Sequence, residues 1–277
     1  MLQVRGSRWL AFMFAATSVL MAAGVQAADG TCTVRSADGT GVLLELYTSE
    51  GCSSCPPADQ WFAAQAARAK PEALSLLAFH VDYWDQLGWK DPFAQSAFSR
   101  RQSDRVQAQG SRTVYTPQVM ASSHTGLRWS DNTHAQATIA ELQRQPARAS
   151  ITLTTHRSGA GWHVSVSASP AAKGAVGQPA LYLALAQDGL HSAPTRGENA
   201  GARLAHARVA RGLWGPWPLT GSGVARELQV DPAKSASSLA DSPGNAGTSA
   251  YTLVAFVQDR ATGEGWQALS LPLADCR

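Results

Sequence analysis

Among its 277 residues the chain has four cysteines, a charged fraction of only 16%, and after residue 27 no apolar run of membrane-spanning length. Each shortage excludes something. The 23 Lys and Arg nearly balance the 20 Asp and Glu, giving a formal charge of +3. Scattered arginine at near-neutral charge offers no basis for binding nucleic acid or an anionic membrane surface. A helical span needs about 20 consecutive apolar residues, so stable membrane insertion is not expected of the mature chain. Only one Cys-x-x-Cys pair is present, Cys52 and Cys55, which removes the four-thiol zinc site that two pairs would make. No internal repeat is evident.

The N-terminal segment has a clear pattern. Arg5 and Arg8 precede an apolar run from Trp9 to about Val25, ending in Val25-Gln-Ala27. A positive region, an apolar region and a small-x-small cleavage site read as a signal peptide over residues 1–27, the alternative being an uncleaved membrane anchor. Cleavage removes two arginines and no acids, taking the formal charge from +3 to +1. A periplasmic or secreted location follows, and an even count of four cysteines suits an oxidising compartment. Of the three pairings, Cys52–Cys55 is expected to be labile and Cys32–Cys276 a structural staple joining the start of the mature chain to its end. The alternative leaves Cys32 and Cys276 as unpaired thiols.

Two composition regimes divide the mature chain at residues 28–148 and 149–277. In the first, apolar strand-like runs (Val42–Tyr47, Leu74–Val81, Gln118–Ala121) alternate with helical stretches. The helices are expected at Pro56–Ala69, from an Asp91 cap and Pro92 to Gly110, and at Ala135–Arg144 after caps in Ser130–Thr133. This order predicts an α/β domain with helical crossovers. From Ala149 the period becomes two: Ile151–Thr155 and Trp162–Ser167 read as a hairpin around Ser158–Gly161. Leu181–Ala186, Val224–Val230, Tyr251–Gln258 and Trp266–Leu271 add strands, with a loose Ser/Ala/Gly loop at Lys234–Ser249. An all-β, sandwich-like domain is expected there.

Cys52 and Cys55 sit in Thr48-Ser-Glu-Gly-Cys-Ser-Ser-Cys-Pro-Pro-Ala-Asp59, between a strand and a helix. A sulfur at the positive end of a helix dipole is stabilised as thiolate. Pro56 and Pro57 lack N–H groups, which costs nothing in the first turn of a helix. With Ser53 or Ser54 as cap, Cys52 is expected at the exposed start as the attacked sulfur, and Cys55 as the resolving one. A static disulfide closing a turn is the alternative.

Several segments together carry a resemblance. They are Glu45–Asp59, His80-Val-Asp-Tyr-Trp-Asp85, Leu87-Gly-Trp-Lys-Asp-Pro-Phe93, Tyr115-Thr-Pro-Gln118 and Arg196-Gly-Glu-Asn-Ala-Gly201. They resemble an exported bacterial family, domain of unknown function 1223, with a thioredoxin-like domain, over essentially the whole mature chain. The resemblance implies a cis Thr116–Pro117 bond facing the redox pair, with the Thr116 backbone free to align a substrate strand. Glu45 resembles the buried acid beneath a thioredoxin disulfide, where a carboxyl of raised pKa would shuttle a proton to Cys55; a solvent-facing or salt-bridged strand glutamate is the alternative. Gly51 and the Ser-Ser pair depart from the ordinary thioredoxin pattern, leaving substrate and potential open.

His80, Asp82, Tyr83, Trp84, Asp85 and Trp89 form a second polar-aromatic cluster, read as a groove wall beside the disulfide or as a well-packed loop. Three functions follow. The first is thiol–disulfide exchange with a thiol- or disulfide-containing protein partner, with no cofactor implied. The second is soft-metal binding by the thiolates with His80 or His124, although no histidine has a distinctive metal-ligand spacing. The third is an interaction protein in which Arg196, Glu198 and Asn199 matter most.

Overall fold

Val42–Thr48 (β2) is buried along its whole length, as a strand covered on both faces must be. In a computed structural model describing residues 30–172, 174, 176–235 and 251–276, it lies inside a seven-stranded sheet. Residues 1–27 and most of the Lys234–Ser249 loop lie outside the described residues. β2 pairs in parallel with β3 (Leu74–His80), setting Thr48 opposite His80, and antiparallel with β4 (Gln118–Ala121), setting Tyr47 opposite Gln118. On its far side β3 meets β10 (Val209–Pro218) through Val209 and Ala78. β7 (Pro179–Gln187), β12 (Tyr251–Asp259) and β13 (Gly265–Pro272) complete the order β13-β12-β7-β10-β3-β2-β4.

A second sheet contains β1 (Cys32–Arg35), β5 (Ala149–Ser158), β6 (Gly161–Pro170) and β11 (Val224–Val230), all antiparallel, in the order β1-β5-β6-β11. Burial alternates along β5 and β6, so one face is wet and the other packs. Ile151, Leu153, Trp162, Val164 and Val166 meet Leu181, Leu183, Leu185, Leu253, Val257 and Trp266 of the large sheet. Helices α1 (Pro56–Ala66) and α3 (Asn132–Gln143) cover the other end of that same face, through Phe62, Ile139 and Leu142 on Leu44 and Leu46. Helix α2 (Ser96–Ala108) covers the opposite face, through Phe98 and Val106 on Tyr47, Phe79 and Phe256. Cys32 and Cys276 are disulfide-bonded with Cα atoms 5.5 Å apart, tying β1 to the segment after β13.

The expected α/β thioredoxin-like domain followed by an all-β domain is therefore corrected to a β-rich fold, about 42% strand and 20% helix. The large sheet takes β2, β3 and β4 from the first composition regime and β7, β10, β12 and β13 from the second. Asp91 does not cap α2, which begins at Ser96 after Gln95. Its carboxylate instead accepts from the backbone N–H groups of Glu50 (2.9 Å) and Phe93 (2.8 Å). Asp131 does cap α3, accepting from the His134 N–H at 3.0 Å. No helix among the described residues is long and apolar enough to cross a membrane.

A buried ion cluster joins the layers. Glu45 of β2 accepts from Arg101 Nε at 2.7 Å and Arg105 Nε at 3.0 Å. Arg101 Nη2 reaches Gln258 of β12 at 3.1 Å, and its guanidinium lies 5.1–5.4 Å from the Phe79, Tyr182 and Phe256 rings. Arg105 donates to the carbonyls of Gly263 and Ser122. Removing one partner of such a cluster leaves buried charge uncompensated, at about 3–5 kcal/mol. Glu45→Gln is expected to lower stability by about that much, read from the midpoint of urea unfolding.

Candidate functional site

Between β2 and α1 the backbone turns on its own hydrogen bonds: the Cys52 N–H donates to Ser49 O (3.2 Å) and the Cys55 N–H to Cys52 O (3.1 Å). Pro56 and Pro57 fill the first positions of α1, where no N–H is required. Cys55 itself is the N-cap residue and no side chain caps the helix, which corrects the expected capping by Ser53 or Ser54. Cys52 and Cys55 form a disulfide with Cα atoms 5.4 Å apart. Both are buried, at 1% and 0% exposure, while Ser53 and Ser54 between them are exposed. The expectation of an exposed Cys52 is corrected accordingly.

The cover comes from the connection of a hairpin made by β8 (Leu190–Ser192) and β9 (Leu204–His206). Asn199 Nδ2 donates to the carbonyls of Glu50 (2.8 Å) and Cys52 (2.9 Å). The Glu198 carboxylate accepts from Ser53 N–H (2.9 Å) and Ser53 Oγ (2.6 Å), and these bonds hold its pKa below the usual carboxylate range. Gly197, at φ +77°, lets this strap pass close: a Cβ there would lie 3.3 Å from Trp89 Cβ. Gly51 is constrained likewise, since a Cβ would meet Trp84 Cβ at 3.0 Å.

Trp84 connects the disulfide loop to Thr116, its Nε1 donating to Thr116 Oγ1 at 2.7 Å. The Thr116–Pro117 peptide bond is cis. Gln118 pairs with Tyr47, so Pro117 stands at the same sheet end as the loop after β2. Trp89 Nε1 donates to Glu50 Oε2 at 2.7 Å. The other residues of the expected groove wall tie backbone and helix together. Asp82 accepts from Ser99 Oγ (2.5 Å), Tyr83 donates to Gln102 Oε1 (3.2 Å), Asp85 accepts from the Asp91 N–H (3.1 Å), and buried His80 bonds Asp91 (2.7 Å).

Glu45 does not serve as the proton shuttle. Burial raises its pKa, but Arg101 and Arg105 outweigh burial and hold the carboxyl ionised. The carboxyl that burial raises towards neutral pH is Asp59, one helical turn after Cys55. Half-buried, it accepts from Thr48 Oγ1 at 3.3 Å. Burial pushes its pKa up from 3.8 to about 7, with Asp91 and Glu50 adding to the rise and His206 opposing it. Sequence reasoning passed over Asp59 as a helix residue, although its four-residue spacing from Cys55 was a signal. Among the described residues no three His, Cys, Asp or Glu side chains are grouped to hold a metal.

A family described as "Protein of unknown function (DUF1223)" matches residues 43–258. The chain belongs to the DUF1223 family. Similar solved structures include protein AGR_C_4864 from Agrobacterium tumefaciens, 20% identical over 85% of this chain and 96% of that one, with a TM-score of 0.57. HBP35 of Porphyromonas gingivalis is 12% identical over 87% of this chain and 78% of that one, with a TM-score of 0.63. At these identities the likeness is one of fold alone. No curated protein matches the sequence. Neither the family nor these structures carry over the thioredoxin-like oxidoreductase that the resemblance implied.

Two outcomes follow for this DUF1223 site. Asn199→Ala strips two bonds from the strap, costing about 1–3 kcal/mol. It is expected to speed reduction of Cys52–Cys55 by dithiothreitol several-fold under native conditions, measured as thiol release. Asp59→Asn tests the carboxyl through stability. An acid whose folded pKa lies above its unfolded value destabilises the fold increasingly as pH rises from 3.8 to about 7. The variant is therefore expected to gain up to about 4 kcal/mol at about pH 8, and the gain to vanish below about pH 4, in urea melts across pH.

Proposed function

We propose that this protein exchanges the Cys52–Cys55 disulfide with the thiols of a partner protein, once the Glu198–Asn199 strap lifts from the disulfide loop. What carries the reading is the siting of that disulfide at the start of α1, with a protonatable carboxyl, Asp59, one turn further in. A partner thiolate attacks Cys52 Sγ, a bond forms between those two sulfurs, and the Cys52–Cys55 bond breaks. The electron pair leaves on Cys55 Sγ, which takes the proton of Asp59. A second partner thiol, as thiolate, then attacks its own sulfur in the mixed disulfide and releases Cys52. The partner leaves oxidised and the pair reduced.

Leu87, Val114 and Tyr115 supply the contact a protein partner requires. They are exposed large apolar side chains; in sequence Leu87 lies between Trp84 and Trp89, and Val114 and Tyr115 precede Thr116, which Trp84 bonds. Two disulfides support an oxidising compartment, periplasmic or secreted. Burial of both sulfurs favours a second reading, a locked disulfide that only shapes the loop.

Cys55→Ala separates the two. Without the resolving sulfur, the Cys52 thiolate attacks the disulfide of an oxidised partner, the reverse of the release step, breaking that disulfide to leave one partner thiolate, and no Cys55 thiol is there to resolve the adduct. Mixed-disulfide adducts on Cys52 are expected from cells, visible on non-reducing gels and lost with reductant. A folded Cys55→Ala protein that forms no adduct, even with Asn199→Ala added to free the strap, leaves the locked disulfide as the answer.

A further inference from the structure

Helix α2 covers only part of its face of the large sheet. Between α2 and strands β7, β10 and β12 the chain leaves a groove of about 790 Å³. Phe98 and Arg101 of α2, Tyr182 of β7, Leu213 and Pro216 of β10, and Arg260 just after β12 line it. The Cys52–Cys55 loop and the Glu198–Asn199 strap take no part in it. Sites that enclose a small organic molecule run from about 300 to 1,000 Å³, whereas a bare inorganic ion fills a small fraction of that. Tyr182 lies flat on Phe256, with centroids 4.9 Å apart and planes 8° apart, and the Arg101 guanidinium stands 5.3 Å from the Tyr182 ring. Ring and guanidinium thus sit side by side in the groove wall.

The charge beneath this wall is unbalanced. Arg101 and Arg105 are both buried, both line the groove, and share one carboxylate, that of Glu45. Two positive charges against one negative leave the cluster at +1, although buried charges are ordinarily matched. Two further acids line the groove. Asp104 is exposed, and Asp259 turns its oxygens to the N–H groups of Gln178 (2.8 Å), Ala261 (2.8 Å) and Thr262 (3.0 Å). Arg100 and Arg260, both exposed at the rim, make four arginines against those two aspartates. The bonds of Arg101 to Glu45 and Gln258 engage its Nε and Nη2, so among the described residues the N–H donors of Nη1 are not taken up.

We propose that this groove binds a small organic carboxylate with an apolar body, its charge held by Arg101 and Arg260 and its body laid on Phe98, Tyr182 and Leu213. A carboxylate supplies the missing negative charge and matches the planar fork of a guanidinium. The apolar body accounts for the size of the groove and for the aromatic and aliphatic side chains that share its wall with the arginines. The site lies apart from the disulfide, and its occupancy needs no exchange step.

Amide NMR of the intact oxidised protein, titrated with sodium 3-phenylpropionate, tests this. Saturable shifts are expected along α2 and around Tyr182, Leu213 and Arg260, with a Kd of about 1 mM or below. 3-Phenylpropan-1-ol keeps the body and lacks the charge; it is expected to bind about tenfold more weakly. Inorganic phosphate, a charge without a body, is expected to give no saturable shift there. Arg260→Glu, at an exposed position, is expected to weaken 3-phenylpropionate about tenfold with the fold intact. Arg101→Lys keeps the charge and loses the fork, and should weaken it as well. The proposal is overturned by an absence of saturable shifts in the groove, by alcohol or phosphate binding as tightly as the acid, or by undiminished binding in Arg260→Glu. If Arg101→Lys fails to fold, Arg260→Glu decides alone.

Discussion

The carboxylate of Glu45, held between Arg101 and Arg105, is the constraint on which the rest of the molecule depends. It sits in a strand covered on both faces, where an unpaired charge would be forbidding. Its two arginines come from α2, so the pair fixes that helix over one face of the large sheet. The same guanidinium groups reach Gln258, Gly263 and Ser122, and stack among Phe79, Tyr182 and Phe256. One acid thereby registers strands from both composition regimes against a single helix. Replacing such a cluster with apolar side chains is often neutral or stabilising in other proteins. Here its geometric work is to align β2, and with β2 the turn that begins at Ser49.

From that alignment the site follows. β2 ends at Thr48, and the next seven residues carry Glu50, Cys52 and Cys55 over the edge of the sheet into α1. β3, in parallel register, delivers His80 beside Thr48, and the pairing of β10 with β3 at Val209 holds His206, three residues earlier at the end of β9, against His80. The strap of the β8–β9 hairpin then closes over the sulfurs with four hydrogen bonds from two side chains. The cover over the disulfide loop and the His206 imidazole that bonds Glu50 thus arrive on one hairpin.

Much of this was legible from sequence because it is local. The period-two runs of β5 and β6, the apolar runs of β7, β12 and β13, the prolines opening α1 and the Asp131 cap of α3 each carry their signal within a few residues. What escaped is long-range. β10 contains Gly212, Gly215, Pro216 and Pro218 and shifts register twice against β7, so no alternation survives to mark it as a strand. Its pairing with β3 joins residues more than a hundred positions apart, which no local pattern announces. The burial of Cys52 depends on Asn199, 147 residues later. The role of Glu45 depends on two arginines that a sequence shows only as the polar side of a helix.

The Cys32–Cys276 bond encloses almost every described residue in a single covalent ring. A protease that nicks an exposed turn inside the ring, such as the one near Gly159, releases no fragment: the two pieces remain one molecule, held by sulfur at one end and by the sheets elsewhere. The bond therefore keeps a nicked chain in one piece wherever reducing power is scarce.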